Sequence, residues 1–279
     1  MATLKPSNLR GDVMGSIGFI GAGNMAEAII GGIVKKGLYA PSKIMVYDIR
    51  QDRLDFFSST FGVAKALDPR QLLRETSTVI LAVKPATVSV VVNESKELLA
   101  DKLVISIAAG IPIDSIVTIL GQEARVIRVM PNTPALIGEG ASALAASKTC
   151  SADDIGCAMS IFSAVGMCME IEERLLNAVT ALSGSGPAFC FMFMEALSDG
   201  GVRAGLPRDT ALALAAATLK GAAGMVLETG KHPGVLKDMV TSPSGTTIDG
   251  VSVLESMGFR SAVTDAVFAA YKRACTLAK

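Results

Sequence analysis

A glycine-rich turn near the start of the chain limits the folds open to it more than any other stretch. Residues 16–20, Ser-Ile-Gly-Phe-Ile, form a short apolar run that passes directly into Gly21-Ala22-Gly23-Asn24-Met25-Ala26 and then into a helical pattern over residues 26–36. Gly21 permits a tight turn, Gly23 puts no side chain between the backbone and a pyrophosphate, and the small Ala26 lets the helix pack closely on the strand. The helix start adds unpaired N–H groups and a partial positive charge. A bare Gly-x-Gly is a weak signal. Placed after a strand, before a helix and at the head of an α/β series, it reads as a dinucleotide-binding turn, with a flavin or S-adenosylmethionine site as the remaining alternative.

The rest of the chain supports that setting. Apolar runs at residues 16–20, 44–47, 78–83, 103–107, 125–129, 142–146 and 167–170 read as strands, with helical patterns at 26–36, 53–61, 88–99 and 113–120 among them. This rhythm predicts a doubly wound (Rossmann-type) parallel sheet. The runs are apolar throughout rather than alternating, as expected where helices cover both faces. After about residue 172 strand-like runs cease. Helical stretches follow at 175–182, 187–204, 209–228, 235–241, 245–256 and 261–277, rich in Ala, Gly and Met. The expected organisation is a flexible tail over residues 1–14, a dinucleotide-binding domain over 15–171 and an all-helical domain over 172–279.

Composition narrows the class. Hydrophobic residues make up 50% of the chain, and the mean hydropathy is +0.47. The nearest approach to a membrane span, residues 211–227, is built largely of Ala and Gly around Lys220, so it reads as a tightly packed helix at a subunit interface, and no membrane contact is expected. The formal net charge is +0 and acids are interspersed with bases, which argues against nucleic acid. Five cysteines without CxxC spacing and a single histidine leave no metal site, and free thiols suit a reducing cytoplasm.

Several positions can complete the cofactor site. Asp48 closes the second strand about 25 residues past the turn, where an acid suits the ribose diol of NAD and repels the extra phosphate of NADP. Arg50 and Arg53 follow, and either can pair with that phosphate or simply lie in solvent, so the choice between NADH and NADPH stays open. Ligands sit beyond the carboxyl ends of strands in open sheets. That places Ala82-Val83-Lys84-Pro85 and Ala108-Ala109-Gly110 at the crevice, beside Gly21, Gly23, Asn24, Met25, Asp48 and Arg50. Two prolines bracket Asn132 and Thr133 in a rigid loop. Ser244-Gly245-Thr246-Thr247 opens a helix, where exposed N–H groups form a ready carboxylate site, although an ordinary helix cap has the same composition. His232 lies in a loop between helices and reads as a cap; Glu170-Ile171-Glu172-Glu173 reads as a charged helix start.

Taken in order, these motifs resemble those of the Δ1-pyrroline-5-carboxylate reductase family. The matching stretches are Gly-Phe-Ile-Gly-Ala-Gly-Asn-Met from Gly18, Ala-Val-Lys-Pro from Ala82, Val-Met-Pro-Asn-Thr-Pro from Val129, Leu-Ser-Gly-Ser-Gly-Pro-Ala from Leu182 and Lys-Asp-x-Val-x-Ser-Pro-x-Gly-x-Thr from Lys237. The resemblance implies reduction of the cyclic imine 1-pyrroline-5-carboxylate to L-proline, the last step of proline synthesis, with NADPH or NADH. It implies a helical domain that interlocks in a homodimer, with five dimers often assembling into a decamer. Carried over by position, Thr247 is the catalytic threonine, and Ser244, Gly245, Thr246 and Thr247 bind substrate. Tyr47-Asp48 and Met239 depart from the family pattern and put strict NADPH preference in doubt. The β-hydroxyacid dehydrogenases, which share the two-domain plan, place a lysine four residues after their own Gly-x-Gly and an asparagine four further on; counted from Gly186, Cys190 and Met194 stand there instead. A redox sensor that binds NAD(P) without turnover is the non-enzymatic alternative.

Overall fold

A computed structural model describes residues 15–277; the tail expected over residues 1–14 lies outside the described residues. The chain begins with β1 (Ile17–Ile20), α1 (Asn24–Lys35), β2 (Ile44–Tyr47), α2 (Gln51–Phe61), β3 (Ala64–Lys65), α3 (Pro69–Glu75) and β4 (Thr78–Leu81). It continues through α4 (Pro85–Glu94), α5 (Lys96–Leu99), β5 (Leu103–Ser106), α6 (Ile113–Leu120), β6 (Arg125–Met130), β7 (Gly140–Ala146), α7 (Ala152–Ser163) and β8 (Gly166–Glu170). From there it is helical: α8 (Leu176–Val179), α9 (Gly186–Arg203), α10 (Arg208–Thr229), α11 (Pro233–Met239), α12 (Thr246–Ser256) and α13 (Phe259–Leu277).

The strands form one eight-stranded sheet in the order β3-β2-β1-β4-β5-β6-β7-β8. β1 to β6 are parallel, whereas β7 runs antiparallel to β6 and carries β8 parallel to itself. The sheet is therefore mostly, not wholly, parallel. The cause is the short link between β6 and β7, which holds only a 3₁₀ turn at Thr133–Ile137. A parallel return needs a crossover of about a dozen residues, usually a helix. Two helices escape the hydrophobic pattern but carry capping signatures. Asp68 accepts from Gln71 N–H ahead of Pro69, and Ser151 and Asp154 form a reciprocal capping box. The helix expected at 88–99 divides at Ser95 into α4 and α5.

Each face of the sheet buries its own core. Phe19, Ile29, Ile33, Phe57, Ile161 and Phe162 pack on one side, and Leu72, Leu73, Val92, Leu99 and Ile116 on the other. Each such side chain contributes about 1.5–3 kcal/mol by leaving water. Burial also raises the thiols of Cys150 and Cys157 above their ordinary range and pushes Cys168 up to about 12. The thiolate is the nucleophile, so iodoacetamide at pH 8 is expected to leave these three unmodified in the folded protein and to label them in urea; peptide mass mapping reads the difference.

A buried polar group anchors the last strand-bearing segment. Arg128 of β6 is 6% exposed. It pairs with Glu173 Oε1 at 3.2 Å and donates to Asn177 Oδ1 at 3.3 Å, while the same Glu173 oxygen accepts from Ile113 N–H at 2.8 Å. Removing one partner of a buried pair strands the other charge. Glu173→Ala is therefore expected to cost about 2–3 kcal/mol, somewhat below the usual range because Asn177 still faces the guanidinium. Urea unfolding measures it.

By compactness the chain divides into two units. One runs to Gly184 and takes in the stretch from Tyr271 onward; the other is Ser185–Ala270. In the second unit α9 and α10 pack together. Arg208 binds Asp199 and Ser198, Gly201 lies against Ala211, and the rings of Phe193 and Phe259 stack 5.5 Å apart. Much apolar surface stays uncovered in the single chain, including Phe191, Met192, Leu227, Val253 and Met257. By length and composition two stretches, Glu173–Arg203 and Arg208–Thr229, are apolar enough to cross a membrane. This corrects the expectation that no window qualifies: Ala and Met raise the average even where Gly and Lys interrupt the run.

Candidate functional site

The carboxyl edge of the sheet gathers the first part of the site. Ile20 lies opposite Tyr47 on one side and Leu81 on the other, and Leu81 lies opposite Ser106. Gly21, Asp48 and Ala82 thus leave the sheet side by side, with Ile107 next along, at the point where the strand order reverses about β1. Gly21 adopts φ +107, and a Cβ there would stand 2.5 Å from the Ala82 carbonyl oxygen. No side chain fits that turn. Gly23 is the N-cap of α1, and a Cβ on it would meet nothing within 4 Å. The first helical hydrogen bond runs from Glu27 N–H to Gly23 at 3.0 Å. The N–H groups of Asn24, Met25 and Ala26 therefore have no intrahelical acceptor. Open space over Gly23 beside free amides fits a pyrophosphate.

The segment after β2 grips this turn. Ala22 N–H donates to Asp48 Oδ2 at 2.7 Å, and Arg50 N–H donates to Asp48 Oδ1 at 2.9 Å. Arg53 Nε donates to the Ala22 carbonyl at 2.8 Å, and its Nη2 binds Glu27 Oε2 at 2.7 Å. Of the two arginines that sequence offers to a 2′-phosphate, Arg53 is thus already engaged, while the Arg50 side chain is 55% exposed.

The other expected positions line the same edge in different ways. Ala82 and Val83 are half-buried; Lys84 is exposed at the N-cap of α4, followed by exposed Pro85. Ala108 is buried, Ala109 exposed, and Gly110 turns with φ +77. One residue with a larger role than its spacing suggested is Asn132, which is 8% exposed. Its Nδ2 donates to the Ser183 carbonyl at 3.0 Å and its Oδ1 accepts from Ala141 N–H at 2.8 Å. Ser183 lies in a π-helical turn, Thr180–Gly184, just before the chain enters α9. The two flanking prolines signalled a fixed loop, but nothing in sequence identified its partner.

The second unit carries the other expected group. Ser242-Pro243-Ser244-Gly245 forms a turn closed by Gly245 N–H to the Ser242 carbonyl at 3.1 Å. Pro243 leads it, and Ser244 sits at φ +55, a conformation usually left to glycine. Such strain persists where surroundings impose it and clusters at ligand sites. Gly245 caps α12, and a side chain on it would collide with Ser242 Oγ. Thr246, Thr247 and Ile248 open the helix, so their N–H groups lack intrahelical acceptors. Thr247 is half-buried. His232 is a cap, its Nδ1 accepting from Gly234 N–H at 3.1 Å. Among the described residues no group of three or more His, Cys, Asp or Glu side chains gathers to hold a metal.

Comparison with known proteins decides the family. A family model described as pyrroline-5-carboxylate reductase dimerisation matches residues 173–277, and one described as NADP oxidoreductase, coenzyme F420-dependent, matches residues 16–110. A pyrroline-5-carboxylate reductase of Methanosarcina acetivorans is 47% identical over 94% of this chain and 98% of its own length. The chain belongs to the pyrroline-5-carboxylate reductase family. Solved reductases share its fold. That of Coxiella burnetii superposes with a TM-score of 0.90 at 40% identity, covering 95% of this chain and 99% of the other. That of Plasmodium falciparum, solved with NADP bound, gives a TM-score of 0.86 at 31% identity over 96% and 99%. As a reductase of this family the chain uses a nicotinamide dinucleotide, and its helical region, matched to the dimerisation model, is where copies associate.

Proposed function

We propose that this reductase converts 1-pyrroline-5-carboxylate to L-proline with NADH or NADPH, as the last step of proline synthesis in the cytoplasm. The observation that carries the reading is the strained Ser244 turn leading into the free amides of α12, within the region matched to the reductase dimerisation family. In this reading residues 15–171 bind the dinucleotide, and the helical domain from residue 172 supplies substrate contacts and the dimer surface. The exposed apolar residues of α9, α10 and α12 then face a second copy rather than lipid, and five such dimers form a decamer. Light scattering on the purified protein reads the assembly size.

The reduced nicotinamide supplies a hydride to the imine carbon when bound. The protein holds the reactants and excludes water; positioning of this kind lowers a barrier by up to about 7–11 kcal/mol in favourable cases. Gly21, Gly23 and the amides of Asn24 and Met25 receive the pyrophosphate. Ala82 to Pro85 and Ala108 to Gly110 border the dinucleotide, with Asp48 and Arg50 at its ribose end. The Thr246 N–H binds the substrate carboxylate beside Ser244 and Gly245, while the Gly245 N–H stays on the Ser242 carbonyl and holds the turn that presents it. The Thr247 hydroxyl hydrogen-bonds the ring nitrogen and holds its proton in place.

Oxidation of NADH and NADPH followed at 340 nm, a wavelength set by the reduced nicotinamide, with pyrroline-5-carboxylate as substrate, tests this directly. Turnover that yields proline is expected. Binding of either dinucleotide without turnover would instead favour the sensor reading.

A further inference from the structure

The phosphate turn is gripped from both sides by charges of opposite sign, and both come from the segment after β2. At Ala22, a fully buried residue, Asp48 takes the N–H at 2.7 Å and Arg53 takes the carbonyl at 2.8 Å. Neither side chain is free to swing away, although the Asp48 oxygens each keep a lone pair for a further donor. Asp48 is held on its other oxygen by Arg50 N–H, and its side chain is 14% exposed. Turning it away would leave the Ala22 amide buried without a partner, which proteins avoid. Arg53 is neutralised by Glu27 and lies against two rings, its Cζ 4.9 Å from the Phe56 centroid and 5.2 Å from that of Phe57.

We infer that this clamp makes Asp48 the residue that selects the cofactor, so that the turn prefers NADH to NADPH by at least tenfold. The inference rests on the turn binding a nicotinamide dinucleotide. A carboxylate at the end of β2 lies where a dinucleotide places its adenosine ribose. There it can accept from the 2′-hydroxyl of NADH but repels the roughly doubly negative 2′-phosphate of NADPH. An enzyme that favours NADPH offers a cation at this point. Arg53 is spent on Ala22 and Glu27. Arg50, the cation left over, keeps its guanidinium Nε 3.7 Å from Asp48 itself, so NADPH still binds, but weakly.

Fluorescence titration of the full-length protein with NADH and with NADPH, without substrate, tests the clamp independently of turnover. Asp48→Asn keeps an acceptor for Ala22 and removes the charge; Asp48→Ser is the second variant. Arg53→Met loosens the turn without touching Asp48. The expected results are a wild-type Kd for NADPH at least ten times that for NADH, a ratio reduced tenfold or more in the Asp48 variants, and weakening of both cofactors within threefold of each other in Arg53→Met. A wild-type ratio below ten, a ratio unmoved in both Asp48 variants, or selective loss of NADPH in Arg53→Met would overturn it. Dinucleotide binding without imine reduction would strike only the enzymatic reading; binding of neither cofactor would end both.

Discussion

Replacing Thr247 with valine is expected to lower kcat/KM for pyrroline-5-carboxylate about a hundredfold while leaving the Kd for NADH within twofold of the native value. Valine keeps the volume and branching of threonine and removes only the hydroxyl, so the helix start should survive. A hydrogen bond to a charged group contributes about 1.5–3 kcal/mol, which corresponds to roughly ten- to a hundredfold. Assistance to proton movement adds to that. Thr247→Ser, which keeps the hydroxyl, should recover most of the loss. An unchanged kcat/KM in the valine variant would remove Thr247 from the chemistry and leave the Thr246 amide as the substrate contact. Parallel steady-state kinetics and cofactor titrations on the three proteins separate these outcomes.

Gly21→Ala is expected to have the largest effect on the cofactor half. The residue sits at φ +107, and the added methyl would stand 2.5 Å from the Ala82 oxygen and 2.7 Å from its carbonyl carbon. Both obstacles are backbone, held between β1 and β4, whose residues are buried. The strained dihedral alone costs about 1–3 kcal/mol, and the overlap adds to it. Either the turn moves and dinucleotide affinity falls by a hundredfold or more, or the strands separate and the protein loses several kcal/mol of stability. Thermal unfolding together with NADH titration distinguishes the two; native values in both would mean that the turn is not a close approach. Gly23→Ala makes an informative contrast. Its methyl would meet no protein atom within 4 Å, so stability should hold while affinity drops, since the space it fills is the one assigned to pyrophosphate.

The major elements were legible because their signals are local. The central strands β1, β4 and β5 announce themselves as apolar runs, a direct result of being covered on both faces, and the glycine turn states its own geometry; β8 at the sheet edge is largely exposed and was marked only by its methionines. What escaped was short or relational. β3 has two residues, too few for any periodicity. α3 and α7 were marked by Asp68-Pro69 and by the Ser151/Asp154 box, cues that hydrophobic patterning alone passes over. The reversal at β7 follows from loop length rather than from any residue. At the site, Arg53 read either as a partner for a 2′-phosphate or as a solvated helix-start residue, because nothing in its spacing shows that it reaches back 31 positions to Ala22. Asn132 gave the same difficulty: two prolines announced a rigid loop, but its partner lies 51 residues on. Capping by His232 was legible, since its side chain reaches only two residues ahead.

The route of the chain between its two units has a consequence for synthesis. The chain leaves the first unit at Ser185 and rejoins it at Tyr271, within α13. Ala274 is buried there, and Asn177 Nδ2 lies 3.7 Å from Cys275 Sγ. Asn177 also contacts Arg128, so the closing turns of α13 bear on the same buried pair that secures β6. A ribosome delivers residues in order, so the first unit stays unfinished until the whole of the second has been made and the stretch from Tyr271 has followed it. A premature stop after Ala270 would spare most of the helical unit and leave the nucleotide fold without its final brace.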